Sequence, residues 1–333
     1  MLRPPTPAKS GRLPYNIRLA DARDTGGPLD VARDRLLGVL AVAAAASLWG
    51  TLGFFAKILY AQGVSFEALV AVRASVGWLA VLLFLLATQG AWGLRVGRRD
   101  LAFLLPLGLV GVGAFYLLYF YTVRESTVGT AAILLYSAPA FVVVLARLFL
   151  REPMNAAKVF ALFLTAGGIF MVAGAYDPAN LEVSPKVLVT GLLSGLTYGL
   201  YAVIGRPVAG RLSPPVILSY ALAFGSALLI LAALPTLDTL AGLPAASYAL
   251  LLMLAVVHTA VGFALYTFGI RHLGAGRAAI VATVEPVVAG VLGVVLLGEE
   301  LTALKALGGL LVLTGAVLAQ LRPGKAPSRS DPA

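Results

Sequence analysis

The chain has 333 residues, of which 60% are hydrophobic and 12% are charged, and its mean hydropathy is +0.93. Soluble globular proteins carry about a quarter charged residues, so this composition excludes a soluble domain and indicates a membrane protein. The formal net charge is +10, and there is no cysteine, which excludes disulfides, thiol nucleophiles and thiolate metal sites.

The chain begins with a polar segment, residues 1–34, whose Pro, Arg and Asp content predicts a disordered tail. Residues 322–333 predict a second disordered tail. A helix needs about 20 apolar residues to cross the hydrocarbon core, and ten stretches between the tails have that length. The fold class is therefore an all-α integral membrane protein with ten transmembrane helices. The predicted spans are about 36–61, 65–88, 101–122, 127–149, 155–175, 186–206, 214–234, 246–270, 275–297 and 302–321.

Lysine and arginine indicate the orientation, because the cytoplasmic loops of membrane proteins are enriched in both. With a cytoplasmic N-terminus, 20 of the 25 lysines and arginines lie at the inner face, and Arg73 lies within a span. Both termini are therefore predicted to be cytoplasmic. The positive charge is a topology signal, so no nucleic-acid partner is expected. The four basic residues predicted outside are Lys57, Arg124, Lys186 and Lys305.

The chain also contains an internal repeat. Residues 119–171 match residues 266–318 after a shift of 147 positions, with 15 identities in 53 positions and no gap. The matched pairs include Pro139 with Pro286, whereas Glu285 corresponds to an alanine, Ala138. Two apolar helices can share leucine and alanine by chance, but not a proline, an arginine, a glutamate and a lysine in register.

The repeat divides the chain into two five-helix halves, residues 35–176 and 185–321. Because five is an odd number, the second half enters the membrane from the opposite side. Inverted repeats of this kind are a common architecture of secondary transporters, since exchanging the conformations of the two halves exchanges the open side.

Three segments carry a resemblance to a known family. The segments "GTAAILLYSAPAFVVVLARLFLREPMNAAKVFALFLTAGGIFMV" and "GRAAIVATVEPVVAGVLGVVLLGEELTALKALGGLLVLTGAVLA" resemble the two repeats of the EamA type in the drug/metabolite transporter superfamily. The segment "SLWGTLGFFAKIL" is similar to the first helix of that family. The resemblance implies a ten-helix transporter of the bacterial inner membrane, with a central cavity lined mainly by helices 1–4 and 6–9. It also implies export of amino acids, amines, nucleosides or other small metabolites.

Three ionisable residues lie deep in the predicted spans: Arg73, His258 and Glu285. A central charge costs about 2.5–3.5 kcal/mol on insertion scales, so each is a functional candidate. We hypothesise that Glu285 is a protonatable site, with His258 as a relay partner and Arg73 as a counter-charge. The alternative is a structural ion pair between Arg73 and Glu285, which would have to bridge a depth difference of about 9 Å.

The helix that carries Glu285 has two different faces at 100° per residue. Small residues on one side suit close packing or a cavity, and β-branched residues on the other suit lipid. Pro286 removes a backbone hydrogen bond and is expected to free a carbonyl beside the carboxylate. The small residues are Ala278, Ala282, Ala289 and Gly293, and the bulky ones are Val284, Val287, Val291 and Val295.

Several aromatic residues lie within the spans rather than at their ends, and they are candidates to line a substrate pocket. The alternative for each of them is ordinary packing between helices. The repeated prolines, Pro139 and Pro286, are assigned to a helix-breaking scaffold. The aromatic candidates for substrate binding are Trp49, Tyr119, Tyr198 and Tyr266.

The sequence thus predicts a secondary active transporter that exports a small metabolite by alternating access, with proton coupling through Glu285. An amino acid would suit Arg73 with its carboxylate and Glu285 with its ammonium group. The alternatives are an intramembrane enzyme and a non-transporting scaffold. The motifs HExxH and GxSxG are absent, and no catalytic residue, metal or cofactor is predicted. The expected partners are the substrate, protons and membrane lipid.

Overall fold

The computed structural model describes residues 28–150, 153–177 and 181–321, and these form helices and short connections without a β-strand. Nine helical segments are long and apolar enough to cross a membrane, and a shorter apolar helix of 17 residues, Ala156–Val172, completes the set within these ranges. This confirms the predicted fold class. The helices are α1 (Pro28–Gly50 and Leu52–Ala61), α2 (Phe66–Gln89), α3 (Arg98–Gly108, Leu109–Ala114 and Phe115–Glu125), α4 (Val128–Leu135 and Ala138–Leu150), α5 (Ala156–Val172), α6 (Pro185–Ala209), α7 (Pro214–Ala233), α8 (Ala245–Ala255, Val256–Val261 and Gly262–Leu273), α9 (Ala275–Val281 and Val284–Leu297) and α10 (Ala303–Gln320).

The first helix begins at Pro28, inside the segment that the sequence assigned to the N-terminal tail. Proline is favoured in the first turn of a helix, where its missing N–H would have no intrahelical acceptor. The first two turns are polar, so hydropathy alone placed the start of the helix too late. Residues 1–27 and 322–333, which were predicted to be disordered, lie outside the described ranges.

The helices of each half pack against helices of the other half, so the two halves are not separate bundles. Helix α1 packs against α8 and α9 of the second half, and α6 packs against α3 and α4 of the first half. Helix α2 packs against α7, and α5 packs against α10. Each of these two contacts joins a helix of the first half to the helix at the same position in the second half. The core of the protein therefore lies between the halves, where a rearrangement of one half against the other would change it.

Departures from regular α-helix recur in both halves. A π-helical turn interrupts α3 at Leu109–Ala114 and α8 at Val256–Val261, which are 147 positions apart. Helix α4 is interrupted at residues 136–137 and α9 at residues 282–283, in each case just before the repeated proline. Because π-turns and breaks leave backbone groups without intrahelical partners, they are often found at functional sites.

Hydrogen bonds tie the helices together at one end of the bundle, which the charge distribution predicts to be the outer end. The Lys57 Nζ donates to the Arg124 carbonyl at 3.1 Å. The Glu299 carboxylate accepts hydrogen bonds from the backbone N–H groups of Val128 at 2.7 Å and Gly129 at 3.4 Å. Glu299, in the turn between α9 and α10, thus caps the N-terminus of α4 in the other half. The Glu299 contact therefore links the two halves at this end of the bundle.

The same end carries an ion pair outside the spans. Lys305 Nζ lies 2.7 Å from Glu182 Oε2, and the Tyr176 hydroxyl donates to Glu182 Oε1 at 2.8 Å. Both partners stabilise the charged carboxylate, and they hold the pKa of Glu182 below its usual range. The pair attaches the linker between the halves to the start of α10.

Candidate functional site

The candidate site is built around the two interrupted helices, α4 and α9, which meet through Tyr136 and Glu285. The Tyr136 Oη lies 2.6 Å from the Ala282 carbonyl oxygen and 3.1 Å from Glu285 Oε2. Pro286 has no N–H to donate to the Ala282 carbonyl four residues earlier. The carbonyl that was expected to become free is not free, because it accepts the Glu285 backbone N–H at 3.0 Å, and the Tyr136 hydroxyl is its second donor.

These two distances restrict where the protons can lie. A tyrosine hydroxyl carries one proton and accepts with its oxygen. If that proton is donated to the nearer acceptor, the Ala282 carbonyl, the contact with Glu285 Oε2 is most favourable when the carboxyl group donates in return. The geometry therefore accommodates a protonated Glu285. An ionised Glu285 would accept the Tyr136 proton in place of the Ala282 carbonyl, which needs only a rotation of the O–H bond.

Glu285 faces the interior of the bundle and is only 9% exposed. The small face of α9 is buried and Val287, Val291 and Val295 are exposed on the other face, as predicted, whereas Val284 is half-buried and packs against the core. A Cβ atom added to Gly50 would lie 2.6 Å from the Glu285 carbonyl oxygen. Glycine at position 50 thus allows α1 to approach the backbone of α9 directly at the carboxylate.

His258 lies in the π-turn of α8 and binds α1 rather than Glu285. Trp49 Nε1 donates to the His258 carbonyl at 2.9 Å, and Thr51 Oγ1 lies 2.8 Å from His258 Nε2. The Thr51 hydroxyl also lies 2.7 Å from the Leu48 carbonyl, so the histidine tautomer decides whether it donates to that carbonyl or to Nε2. No hydrogen bond joins His258 and Glu285 within the described ranges. The structure therefore gives the expected relay partner no direct path to the carboxylate.

The aromatic candidates form two groups, one on each side of the interior. The Trp49 ring centroid lies 5.2 Å from that of Tyr266 and 5.3 Å from that of Phe263. In the second group, the ring of Phe115 lies 5.2 Å from Tyr198 and 5.9 Å from Tyr119. Each group combines an aromatic residue from the first helix of one half with aromatic residues from the third helix of the other half.

The two groups correspond under the repeat. Trp49 and Tyr198 each precede a glycine, Gly50 or Gly199, and each glycine packs against the carbonyl of the residue before the repeated proline. These positions differ by 149 rather than 147, so a gap of two residues hid the correspondence from the ungapped comparison. The aromatic side chains on the first helices are therefore matched elements of the two halves.

Glu285 lies close enough to interact electrostatically with the hydroxyl groups of Tyr119, Tyr136, Tyr198 and Tyr266. Tyr198 is 44% exposed although it contacts Phe115 inside the bundle, so its side chain borders an accessible space. The structure thus brings Glu285 together with three of the four predicted aromatic residues, and Trp49 adjoins this set through Tyr266.

Arg73 is buried in α2, with 3% of its surface exposed, and its guanidinium carbon lies 4.4 Å above the ring centroid of Tyr116. It interacts electrostatically with Glu285, Tyr119 and His258. The ion pairs that the described residues form do not include one between Arg73 and Glu285. These residues also contain no group of three or more His, Asp or Glu side chains that could hold a metal ion.

Sequence reasoning missed two contributors to this site. Tyr136, weighed only as one of many aromatic residues, binds Glu285, and Thr51 binds His258. The sequence did indicate Tyr136 in one respect, because it lies three residues before Pro139. A helix break at that proline would direct the tyrosine side chain toward the second half. Thr51 follows the Trp-Gly pair, and the sequence carries no signal that it binds a histidine 207 positions away.

Comparisons with known proteins agree with this architecture. The EamA-like transporter family model matches residues 36–174 and 185–321, which correspond to the two predicted halves. An uncharacterized transporter of Archaeoglobus fulgidus is 31% identical over 286 residues, covering 85% of this chain and 96% of that protein. The uncharacterized inner membrane transporter YicL of Salmonella typhimurium is 26% identical, covering 85% of this chain and 95% of that protein.

A third relative, from Streptantibioticus cattleyicolor, is named "Probable terminal-alkyne amino-acid exporter" and is 28% identical over 70% of this chain and 78% of its own length. Among solved structures, one crystal structure superposes with a TM-score of 0.61 at 20% identity, covering 85% of this chain and 95% of that one. At this identity the likeness supports the fold alone.

Proposed function

Because the chain belongs to the EamA-like transporter family and is a multi-pass membrane transporter, we propose that it exports a small metabolite by alternating access, driven by an ion gradient. The observation that carries this proposal is the pair of corresponding helix breaks in α4 and α9, which meet at Tyr136 and Glu285. Broken helices at the interface of inverted repeats are where secondary transporters bind substrate and coupling ions. The proposed location is the bacterial inner membrane, with both termini in the cytoplasm.

The asymmetry at the breaks supports proton coupling through Glu285. The helix breaks and the repeated prolines occur in both halves. The Glu285 carboxylate occurs in the second half only, and the corresponding residue of the first half is Ala138. Glu285 is buried and lacks an ion-pair partner among the described residues, and burial disfavours the charged form of a carboxyl group. A carboxyl group that gains and loses a proton as the site opens to either side would couple transport to the proton gradient.

The cargo we propose is a small organic molecule such as an amino acid, an amine, a nucleoside or a drug-like compound. The two aromatic groups offer apolar walls, and Glu285 and Arg73 offer one charge of each sign. The name of the Streptantibioticus cattleyicolor relative supports export and an organic cargo. A scaffold has no need of corresponding breaks, and an enzyme would need a nucleophile or metal site that the sequence motifs do not indicate.

Counterflow in proteoliposomes tests this proposal. Vesicles containing the purified full-length protein are loaded with one unlabelled compound from a panel of amino acids, amines and nucleosides, and a trace of the same labelled compound is added outside. A carrier is expected to accumulate the label transiently above its equilibrium level, because efflux of the loaded compound drives influx. Simple equilibration without an overshoot would indicate a channel, and no uptake of any compound together with chemical conversion would indicate an enzyme.

A further inference from the structure

Arg73 carries a charge that no ion pair within the described ranges neutralises. Its side chain is buried, and its Nε has no hydrogen-bond partner in the described part of the chain. A guanidinium stays charged in proteins and presents five N–H donors. A buried charge without a carboxylate or a set of acceptors is costly, so such residues are rare in membrane helices and mark substrate pathways.

The groups around Arg73 compensate only part of this charge. On its own helix, the nearest carboxylate is that of Glu67, six residues earlier, and it forms no ion pair with Arg73. From α3, the rings of Tyr116 and Phe120 face the guanidinium carbon at 4.4 and 5.5 Å. An aromatic face attracts a cation, but it accepts none of the in-plane N–H groups.

The guanidinium also belongs to the same interior as Glu285. Its helix, α2, packs against the π-turn of α8 that carries His258, and the Phe120 ring that faces the guanidinium also contacts Tyr119. Tyr116, under the guanidinium, contacts Phe115, whose ring adjoins Tyr198 at the accessible space. The unsatisfied Nε donor therefore lies beside the proposed transport site and not in a separate part of the bundle.

We infer that Arg73 is the anion-binding residue of this site and that the cargo carries a carboxylate. The inference rests on the proposed function, because only a transporter would carry the bound ligand as cargo. Binding itself can be measured without transport. A guanidinium matches a carboxylate with two parallel N–H···O bonds, and one buried guanidinium neutralises one negative charge. The cargo is accordingly a monoanionic carboxylate or a zwitterion. A zwitterion would place its ammonium group toward Glu285.

The test uses compounds that differ only in their charged groups. Affinities of the full-length protein in nanodiscs are measured by intrinsic tryptophan fluorescence for L-phenylalanine, phenethylamine and 3-phenylpropanoate, and for L-leucine, isoamylamine and 4-methylpentanoate. The amines lack the carboxylate, and the acids lack the ammonium group. In the natural protein, the amino acid of at least one series is expected to bind roughly ten- to a hundredfold more tightly than its amine, the effect of a charge-assisted bidentate contact.

Variants assign this preference to Arg73. Arg73→Met is expected to abolish the difference between amino acid and amine, whereas Arg73→Lys keeps part of it because the charge remains. Arg124→Met is the matched control, since Arg124 is exposed at the bundle end and paired with Glu125, and it should leave the preference unchanged. The melting temperature of ligand-free Arg73→Met is expected to stay equal or rise, because the substitution removes an uncompensated buried charge.

Two outcomes would overturn the inference. One is the absence of any preference for carboxylates in the natural protein. The other is a lower ligand-free melting temperature in both Arg73 variants with equal losses of affinity for amino acids and amines, which would identify a structural residue. Counterflow of amines without a carboxylate preference would leave the proposed transport intact and remove the role of Arg73. Arg73-dependent binding of carboxylates without counterflow of any compound would support the role of Arg73 and contradict the proposed transport.

Discussion

Replacing Glu285 with glutamine is expected to abolish proton-driven accumulation of substrate while leaving exchange of substrate across the membrane intact. Glutamine has the shape and the neutral charge of a protonated glutamate, but it cannot release a proton. Each unit of pH gradient supplies about 1.4 kcal/mol per proton, which sustains roughly a tenfold concentration ratio of substrate. In vesicles with a gradient of one unit, accumulation should therefore fall from about tenfold to none, whereas counterflow of the same compound continues.

Two further variants make this result specific. Glu300→Gln makes the same chemical change at an exposed residue beyond the end of α9 and should keep the gradient dependence. Tyr136→Phe keeps the carboxyl group but removes the hydroxyl contact at 3.1 Å, so it should retain coupling with an altered pH dependence. Proton-driven accumulation by Glu285→Gln at the level of the natural protein would refute coupling through this residue.

Replacing Gly308 with alanine is expected to destabilise the protein, because this glycine lies where α5 and α10 are in closest contact. A Cβ atom added at Gly308 would lie 2.7 Å from the Gly168 carbonyl oxygen and 2.9 Å from Val172 Cγ2. A backbone oxygen cannot move without shifting its helix, so the cost is expected to be about 1–3 kcal/mol, the range for overpacked cores. The loss should appear as a fall of several degrees in the melting temperature of the purified protein.

Gly167→Ala is the control, because it makes the same substitution in α5 next to the contact between α5 and α10. A Cβ atom at Gly167 meets nothing within 4 Å. Alanine favours the helix over glycine by up to about 1 kcal/mol, so this variant should be unchanged or slightly more stable. Equal melting temperatures for Gly308→Ala and Gly167→Ala would show that α5 and α10 do not pack as closely as described.

The sequence was sufficient to predict the helical fold and its division into two halves because both depend on signals that are local or repeated. Hydropathy locates each span, and the shared proline sets the register of the two repeats. The inward direction of Glu285 also followed from the sequence, since the small and β-branched residues of α9 occupy opposite faces. The start of α1 at Pro28 could not be predicted from hydropathy, because the first turns of the helix are polar.

The contacts of the site could not be predicted from the sequence because they join residues far apart in the chain. Tyr136 binds Glu285 across 149 positions, and Thr51 binds His258 across 207. The π-turns at Leu109–Ala114 and Val256–Val261 leave no mark in composition or periodicity. The depth of Arg73 predicted a functional charge, but not the Tyr116 ring that lies 4.4 Å from its guanidinium carbon or the lack of a direct ion pair with Glu285.

The central claim is that the two halves open the site alternately to the two sides of the membrane, and distances between spin labels test it most directly. The chain has no native cysteine, so cysteine pairs can be introduced without altering other positions. Ala61→Cys with Glu300→Cys spans the predicted outer end, and Pro153→Cys with Gly210→Cys spans the corresponding positions at the predicted inner end. We predict that adding a transported compound or changing the pH in liposomes lengthens one distance while it shortens the other. Simultaneous lengthening of both distances, or no change in either, would contradict alternating access.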